Sequence, residues 1–412
     1  MFVSLHHKNS DMKHLLIFFS TLFILTACSK DDDANVTPPT PAERTILVYI
    51  SGENDLSSYA DADISEMAVG FRALSKSANL VLFVDKAGQL PFIAKMTKDQ
   101  QQPLDTLYKY EQDFYASDPD QMRDIVERCI SYCPATVDYG LILWGHANGW
   151  VIMNDSVATR RAYGRDTGNN MADRTGGKWL NIPSMRKAFE QTGRHWEFIF
   201  CDCCNMGNAE AVYELRNTAN YIVASPAEIP GAGAPYDKIM PALFTLGVQG
   251  CKGVADAYAD AYSNHVPMVV VQTSQMQQLA QATRNILQTL QPTADKELNL
   301  NGLMYYDGKN EENLRSLFDM NDFLLQNAAA SDYAVWKQAL DKAVIHKRFA
   351  ARWTSSGHVN FSMFTATEEK FGGLSMYIPR KFYDNHTYSE NYNRSYNKMS
   401  WYYAVGWSDW GW

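Results

Sequence analysis

The chain is predicted to be an α/β protein: a mainly parallel sheet with helices on both faces, followed by a C-terminal α+β subdomain. Three observations carry this. Apolar runs such as TILVYISG (45–52), NLVLFVD (79–85) and DYGLILWGH (138–146) are continuous rather than alternating, which marks strands buried on both faces. Helical patterns separate them, as parallel crossovers require. The alternation ends near residue 250, where the pattern changes to helices and scattered short apolar runs.

Taken in order, 45–52 is a buried strand and LSSYADADISEMAVGFRAL (56–74) an amphipathic helix, with Ser57 or Ser58 near its cap. Residues 79–85 form a second strand. PFIAKMTK (91–98) alternates and suits an edge hairpin. DPDQMRDIVERCISYC (118–133) is a helix, and 138–146 a third strand. IPSMRKAFEQTG (182–193) is a helix before the strand WEFIFCD (196–202). NAEAVYELRNTA (208–219) is a helix before a fifth strand, NYIVASP (220–226). Further on, 277–290 and 333–344 read as helices and GLSMYIP (373–379) as a strand. The tail from Asn393 is rich in Trp and Tyr. Those rings either pack a late helix on the sheet or form a glycan platform.

The N-terminus is a targeting segment. Lys13 precedes a thirteen-residue apolar run, Leu15 to Ala27, ending in LTAC; such a run suits a signal peptide and is too short to span a bilayer. It resembles a bacterial lipoprotein signal with Cys28 as the lipidated residue and Met12 as a candidate start. SKDDD (29–33) resembles the acidic tag of surface-exported lipoproteins. The expected organisation is therefore signal peptide and lipobox (1–28), disordered Pro-containing tether (29–44), catalytic domain (45–250) and C-terminal subdomain (251–412). The expected location is the bacterial outer membrane through a lipid anchor, facing outward. The chain has 412 residues, 46% hydrophobic, with a net charge of -9 and no basic tract. Nucleic acid is excluded as a partner on that ground, and a monomer is expected.

Two strands end in reactive residues. One delivers His146 in LILWGHANGW; the other delivers Cys201, Cys203 and Cys204 in FIFCDCCNMGN. Parallel sheets place ligands at the carboxyl ends of their strands, so a histidine and a thiol there can act as a nucleophile and acid/base pair. Zinc is a poor explanation, because C-x-C-C lacks paired or separated ligand spacing. A vicinal disulfide is strained, and three inert core thiols remain an alternative. Cys129 and Cys133 are spaced i,i+4 on a helix, a poor bridge geometry. Free buried thiols are expected there and at Cys251.

A His-bearing strand followed, about 50 residues on, by a Cys-bearing strand is the caspase-type arrangement. The details resemble the clostripain family of cysteine peptidases. LILWGHANGW is similar to its His segment. DCCNMGN is similar to its Cys segment, with an Asp two residues before the Cys and a Met two after. VYISGENDLSSYADADISEM, NYIVASPAEIPGAGAPY, FDMNDFL, GLSMYIP and GWSDW extend the resemblance over about 45–412.

The resemblance implies a caspase-like fold in which Cys204 is the nucleophile and His146 the general acid/base. The backbone N–H groups of Cys204 and Ala147 would form the oxyanion hole. Relatives often carry Gly at the Ala147 position, where a positive φ would be costly for Ala. Cys201 then closes the strand, Cys203 packs, and the helix from Asn208 is expected to favour a thiolate. Peptide substrates cut after Arg or Lys are implied. Asp202 either faces that basic side chain or merely accepts loop N–H bonds. Glu228 and Asp237 are available as second acids, and Gly231 and Gly233 give the loop freedom to adapt. Self-cleavage at Arg160 or Arg161, in the polar segment 154–178, is implied, against a surface loop that is never cut. No cofactor is required, although Asp/Asn richness in that segment could suit calcium without EF-hand spacing. The alternative is a catalytically silent surface lipoprotein that binds peptide or glycan.

Overall fold

Strand and helix alternate along the first half of the chain as the apolar runs predict. The computed structural model describes residues 41–152, 162–168, 177–290, 298–307, 315–353, 364–385 and 390–411. β1 (Ala42–Gly52), α1 (Ser57–Arg72) and β2 (Asn79–Lys86) come first, then a hairpin of β3 (Phe92–Met96) and β4 (Leu104–Lys109). α2 (Pro119–Tyr132), β5 (Ala135–Gly145), β6 (Tyr163–Asp166), β7 (Lys178–Leu180), α3 (Ile182–Gln191) and β8 (Trp196–Asp202) follow. α4 (Ala209–Leu215), β9 (Ala219–Ala224), α5 (Tyr236–Leu243) and α6 (Val248–Ala261) complete the alternation. Beyond it lie β10 (Met268–Gln272), α7 (Met276–Leu290), β11 (Phe318–Asp319), α8 (Met320–Asn327) and α9 (Ala330–Ala343). The last elements are β12 (Val344–Arg348), β13 (Ser375–Met376), α10 (Glu390–Tyr396) and α11 (Ser400–Ala404).

One nine-stranded sheet runs β12-β10-β9-β8-β5-β1-β2-β3-β4. Its central strands, β9, β8, β5, β1 and β2, are parallel to one another. The hairpin β3–β4 closes one edge and β10–β12 the other, both antiparallel. Alternate strand residues face opposite layers. Leu47, Tyr49, Leu141, Leu143, Ile199 and Cys201 point to one apolar layer. Ile46, Val48, Ile142, Trp144, Phe198 and Phe200 point to the other. The continuous apolar runs are thus the consequence of two covered faces.

Local signals behave in readable ways. Asp118 caps α2, its side chain accepting the Asp120 and Gln121 N–H groups, with Pro119 at the first helical position. The start of α1 differs from expectation: Leu56 is the cap residue, and Asn54 Oδ1 accepts the Leu56 N–H at 2.9 Å. β1 also begins at Ala42, inside the stretch read as tether. The reason is Arg44, which is buried, makes paired bonds to Asp138 at 2.5 and 2.7 Å and donates to the Leu243 and Thr245 carbonyls. An arginine with four such bonds belongs to the folded sheet.

The sheet also crosses residue 250, since β10 and β12 belong to it. The small β11–β13 pair touches the centre of the chain: the Ser375 N–H donates to Gly207 O at 3.1 Å. Most of the described tail aromatics are core. Trp401, Trp407, Tyr396 and Tyr402 are buried, and Trp401 meets Tyr213 edge-on at 5.3 Å. Among the described residues, no helix is long and apolar enough to cross a membrane. All six cysteines from Cys129 onward are free, and each is buried except the half-buried Cys204.

Candidate active site

Three adjacent strands, β1, β5 and β8, deliver the chemistry from their carboxyl ends. β5 and β8 pair in parallel with Trp144 opposite Asp202. His146 and Cys204 each lie two residues beyond that pair, at the same level of neighbouring strands about 4.8 Å apart. Both line one cleft of about 330 Å³, together with Ala147, Asn148, Asp202, Asn205, Glu228 and Gly233.

The Cys loop turns sharply after the strand. Asp202 ends β8, Cys203 is buried in the Cys201 layer, and Cys204 reaches the cleft. Asn205 takes φ 60°, and its N–H bonds Ala227 O at 2.9 Å. Gly207 must be glycine, because a Cβ there would come within 2.6 Å of Pro226 N. Asn208 then caps α4, accepting the Ala211 N–H at 2.8 Å. The turn is also tied to the His loop, since Asn205 Nδ2 donates to Asn148 Oδ1 at 3.4 Å.

His146 meets Asp55, with 2.9 Å between Nε2 and Oδ1. Asp55 lies three residues beyond β1 and also receives Arg165 Nη2 at 3.1 Å. The His146 bond, first among several causes, holds the Asp55 carboxyl below its ordinary range. Asp55 was not singled out from the sequence, because nothing local links it to a histidine 91 residues away. The available signal was topological: an acid at the end of the strand neighbouring the His strand. Ala147 bridges Tyr163 in antiparallel fashion. The bridging bonds, Asn148 N–H to Ala162 O and Gly164 N–H to His146 O, pass on either side of Ala147. Its backbone is not left-handed; Gly145 and Gly149 carry the positive φ values in this loop. Alanine therefore costs nothing there.

Asp202 is buried at the cleft base. Oδ2 accepts the Ala234 N–H at 3.0 Å and the Tyr236 hydroxyl at 2.8 Å; Oδ1 accepts the Tyr258 hydroxyl at 3.3 Å. Burial pushes its carboxyl up to about 6 against those donors. A further acid, one the sequence did not single out, stands beside it. Asp63 of α1 accepts Trp144 Nε1–H at 2.6 Å. A Cβ on Gly233, at φ 62°, would come within 2.8 Å of Asp63 Oδ2 and 2.9 Å of Asp202 Oδ2, so both carboxylates press on that glycine. Burial, then the Asp202 charge, pushes Asp63 up to about 8. Glu228 lines the cleft, whereas Asp237 does not.

Cys204 packs against the Ile229 backbone. Its sulfur lies 3.4 Å from the Ile229 N–H and 3.8 Å from Ile229 O. Burial, followed by the Glu228 and Asp202 charges, pushes it up to about 12. Burial therefore acts against the expected thiolate, and α4, which follows the turn, has seven residues and is capped by Asn208. Cys28, Arg160 and Arg161 lie outside the described residues.

Known proteins share this fold. The model of the Clostripain family matches residues 48–412. A secreted C11 cysteine protease from Bacteroides thetaiotaomicron, solved with an irreversible peptide inhibitor, is 30% identical with a TM-score of 0.73. The match covers 89% of this chain and 99% of that one. An inactive zymogen C11 protease from Parabacteroides distasonis shares the fold at 24% identity and a TM-score of 0.73, with the same coverage. Comparison with curated proteins found no match. Fold, site and matches define a cysteine peptidase, a hydrolase built on a caspase-like α/β sheet. Within that class, the chain belongs to the Clostripain family.

Proposed function

We propose that the protein is an endopeptidase that cuts after Arg or Lys through a Cys204 acyl-enzyme, with His146 as general acid/base. The observation that carries this is the β5–β8 register, which sets His146 and Cys204 at one level of one cleft. His146 takes the Cys204 proton as Sγ attacks the scissile carbonyl carbon. The oxyanion faces the Cys204 and Ala147 N–H groups. Collapse expels the amine, which takes its proton from His146 and leaves a thioester. Water then loses a proton to His146, adds to the thioester carbon, and Sγ departs, regaining its proton. Asp55 acts as a positioning residue by holding the ring.

The acidic end of the cleft supports a basic side chain before the cut bond. Asp202 lines it, with Asp63 behind Trp144 and Gly233. A buried carboxylate facing a guanidinium is a strong, selective contact. We further infer a lipid anchor at Cys28 and self-cleavage at Arg160 or Arg161. The sequence pattern supports the first, and the zymogen state of the Parabacteroides distasonis relative supports the second.

The test uses the soluble chain 29–412 with reporter peptides carrying Arg, Lys, Asp or Asn before the cut bond. Arg and Lys peptides are expected to turn over and the others not. Asp202→Asn keeps one acceptor oxygen but removes the charge, and should raise KM for the Arg peptide about tenfold or more. An unchanged Arg preference in Asp202→Asn would remove the specificity reading. Mass spectrometry of the same samples reports cleavage at 160–161, which Cys204→Ala should abolish. Release from membranes in Cys28→Ala cells tests the anchor.

A further inference from the structure

Two carboxylates, not one, stand at the base of the cleft. Asp63 and Asp202 are 1% and 3% exposed. A single Cβ position, on Gly233, lies 2.8 Å from Asp63 Oδ2 and 2.9 Å from Asp202 Oδ2. The two oxygens therefore stand within about 6 Å of each other, close enough for each charge to oppose the other. Gly233 is pinned between them by the Tyr262 hydroxyl, which donates to Gly233 O at 2.6 Å.

Their hydrogen bonds are unequal. Asp202 accepts three, from Ala234, Tyr236 and Tyr258. Asp63 accepts one, from Trp144 Nε1–H. The groups that face the pair are Glu66 on α1, Trp144 on β5, Tyr236 on α5, and Tyr258 and Tyr262 on α6. Asp237 and Lys238 of α5 face Glu66 instead. Among the described residues, no cation acts on Asp63. A buried carboxylate with one donor and no cation is costly when ionised, and two adjacent ones titrate as a unit. The position changes once a cation arrives. Asp202, Trp144 and Gly233 all line the cleft, so a cation seated on Asp202 lies one glycine away from Asp63.

We propose that Asp63 and Asp202 act as one proton-sharing pair. The empty pocket keeps a single proton between the two carboxyls. Entry of the Arg or Lys side chain drives that proton to solvent and leaves two carboxylates facing one cation, so the pocket keeps its net charge. This rests on the Arg or Lys reading of the cleft and adds that recognition is linked to pH. Asp63 acts through Asp202, as a positioning residue. Burial and the Asp202 charge both favour the proton on Asp63. Asp202, with three donors, is the member that ionises first.

Calorimetry on the soluble chain carrying Cys204→Ala, which cannot turn over a peptide, tests this. The ligands are a hexapeptide with Arg before the susceptible bond and the same peptide with citrulline, its uncharged isostere. Titrations at pH 7 in phosphate and in Tris should show about one proton released per Arg peptide and almost none with citrulline. Kd for the Arg peptide should fall about tenfold or more between pH 6 and pH 8. His146 meets both peptides alike, so its titration cancels in the comparison. Asp63→Asn in the same background should abolish the release and flatten the pH dependence. Trp144→Phe removes the one donor to Asp63 and should carry the steep part of the profile to higher pH, which keeps a test in hand if Asp63→Asn does not fold. Arg-peptide binding that releases no proton and holds one Kd across this range overturns the proposal and leaves the Arg reading standing. Release that persists unchanged in Asp63→Asn overturns it too. Equal affinity for the Arg and citrulline peptides removes the Arg reading, and the proposal with it.

Discussion

Single residues set the reactivity of the cleft more than its shape does. Asp55 is the clearest case, since its carboxylate is the partner given to the His146 ring. Asp55→Asn should lower kcat by about 10²-fold while KM and Tm hold, because the ring loses the carboxylate that balances its charge and fixes its tautomer while the substrate loses nothing. Equal loss in KM would make Asp55 a binding residue instead. Asp63 and Asp202 carry a pH signature. Their folded values, about 8 and about 6, stand above the ordinary 3.8. The folded chain therefore binds these protons more tightly than the unfolded chain. Their contribution is intact below about 4 and is lost as pH rises towards 8, so stability falls across that window. Asp63→Asn should flatten the decline of Tm between pH 6 and 8 and melt above the wild type at pH 8. A slope equal to wild type would contradict the burial argument. Part of the Cys cluster was legible, because the resemblance of its Cys segment to the family's set Cys204 apart from Cys201 and Cys203. Asp55 and Asp63 were not, because both reach the site from α1 and the turn before it, and only sheet order makes them neighbours of residues 80 to 140 positions away.

The elements around α4 decide whether the Cys turn keeps its form. α4 is short, and its buried Glu210 accepts both the Tyr377 N–H and the Tyr396 hydroxyl at 2.8 Å. Glu214 receives Arg186 and the Ser400 N–H. The last forty residues thus fasten the helix that follows the nucleophile. Glu210→Ala should cost about 2–4 kcal/mol in urea unfolding, because two buried donors lose their acceptor. Glu210→Gln, which keeps an oxygen in place, should cost much less. Equal losses would mean that packing volume, not the acceptor, matters. The strand and helix series up to β9 was readable because each run was long and apolar. β6, β7 and β11 have two to four residues each, too few for any period to show, whereas β13 was read from the sequence as a longer strand, 373–379. The edge strands β10 and β12 escaped for a related reason: their place in the sheet depends on long-range antiparallel pairing rather than on a local pattern.

At the scale of the whole molecule, the sheet unites what the sequence divides at residue 250. β10 and β12 complete its edge, and β13 reaches Gly207 beside the nucleophile. Most of the described Trp and Tyr of the tail are buried rather than presented as a platform, which weakens the silent-binder alternative. The central claim of the proposed function is that one thiol of three attacks. Cys203 is sealed in the core, while Cys204 is half-buried at the cleft. The most direct measurement is covalent labelling of the soluble chain with an arginyl chloromethyl ketone, followed by peptide mass spectrometry of wild type, Cys203→Ala and Cys204→Ala. The account predicts one adduct, on Cys204, present in wild type and Cys203→Ala and absent in Cys204→Ala together with all peptide cleavage. An adduct on Cys203, or cleavage that persists in Cys204→Ala, would contradict it.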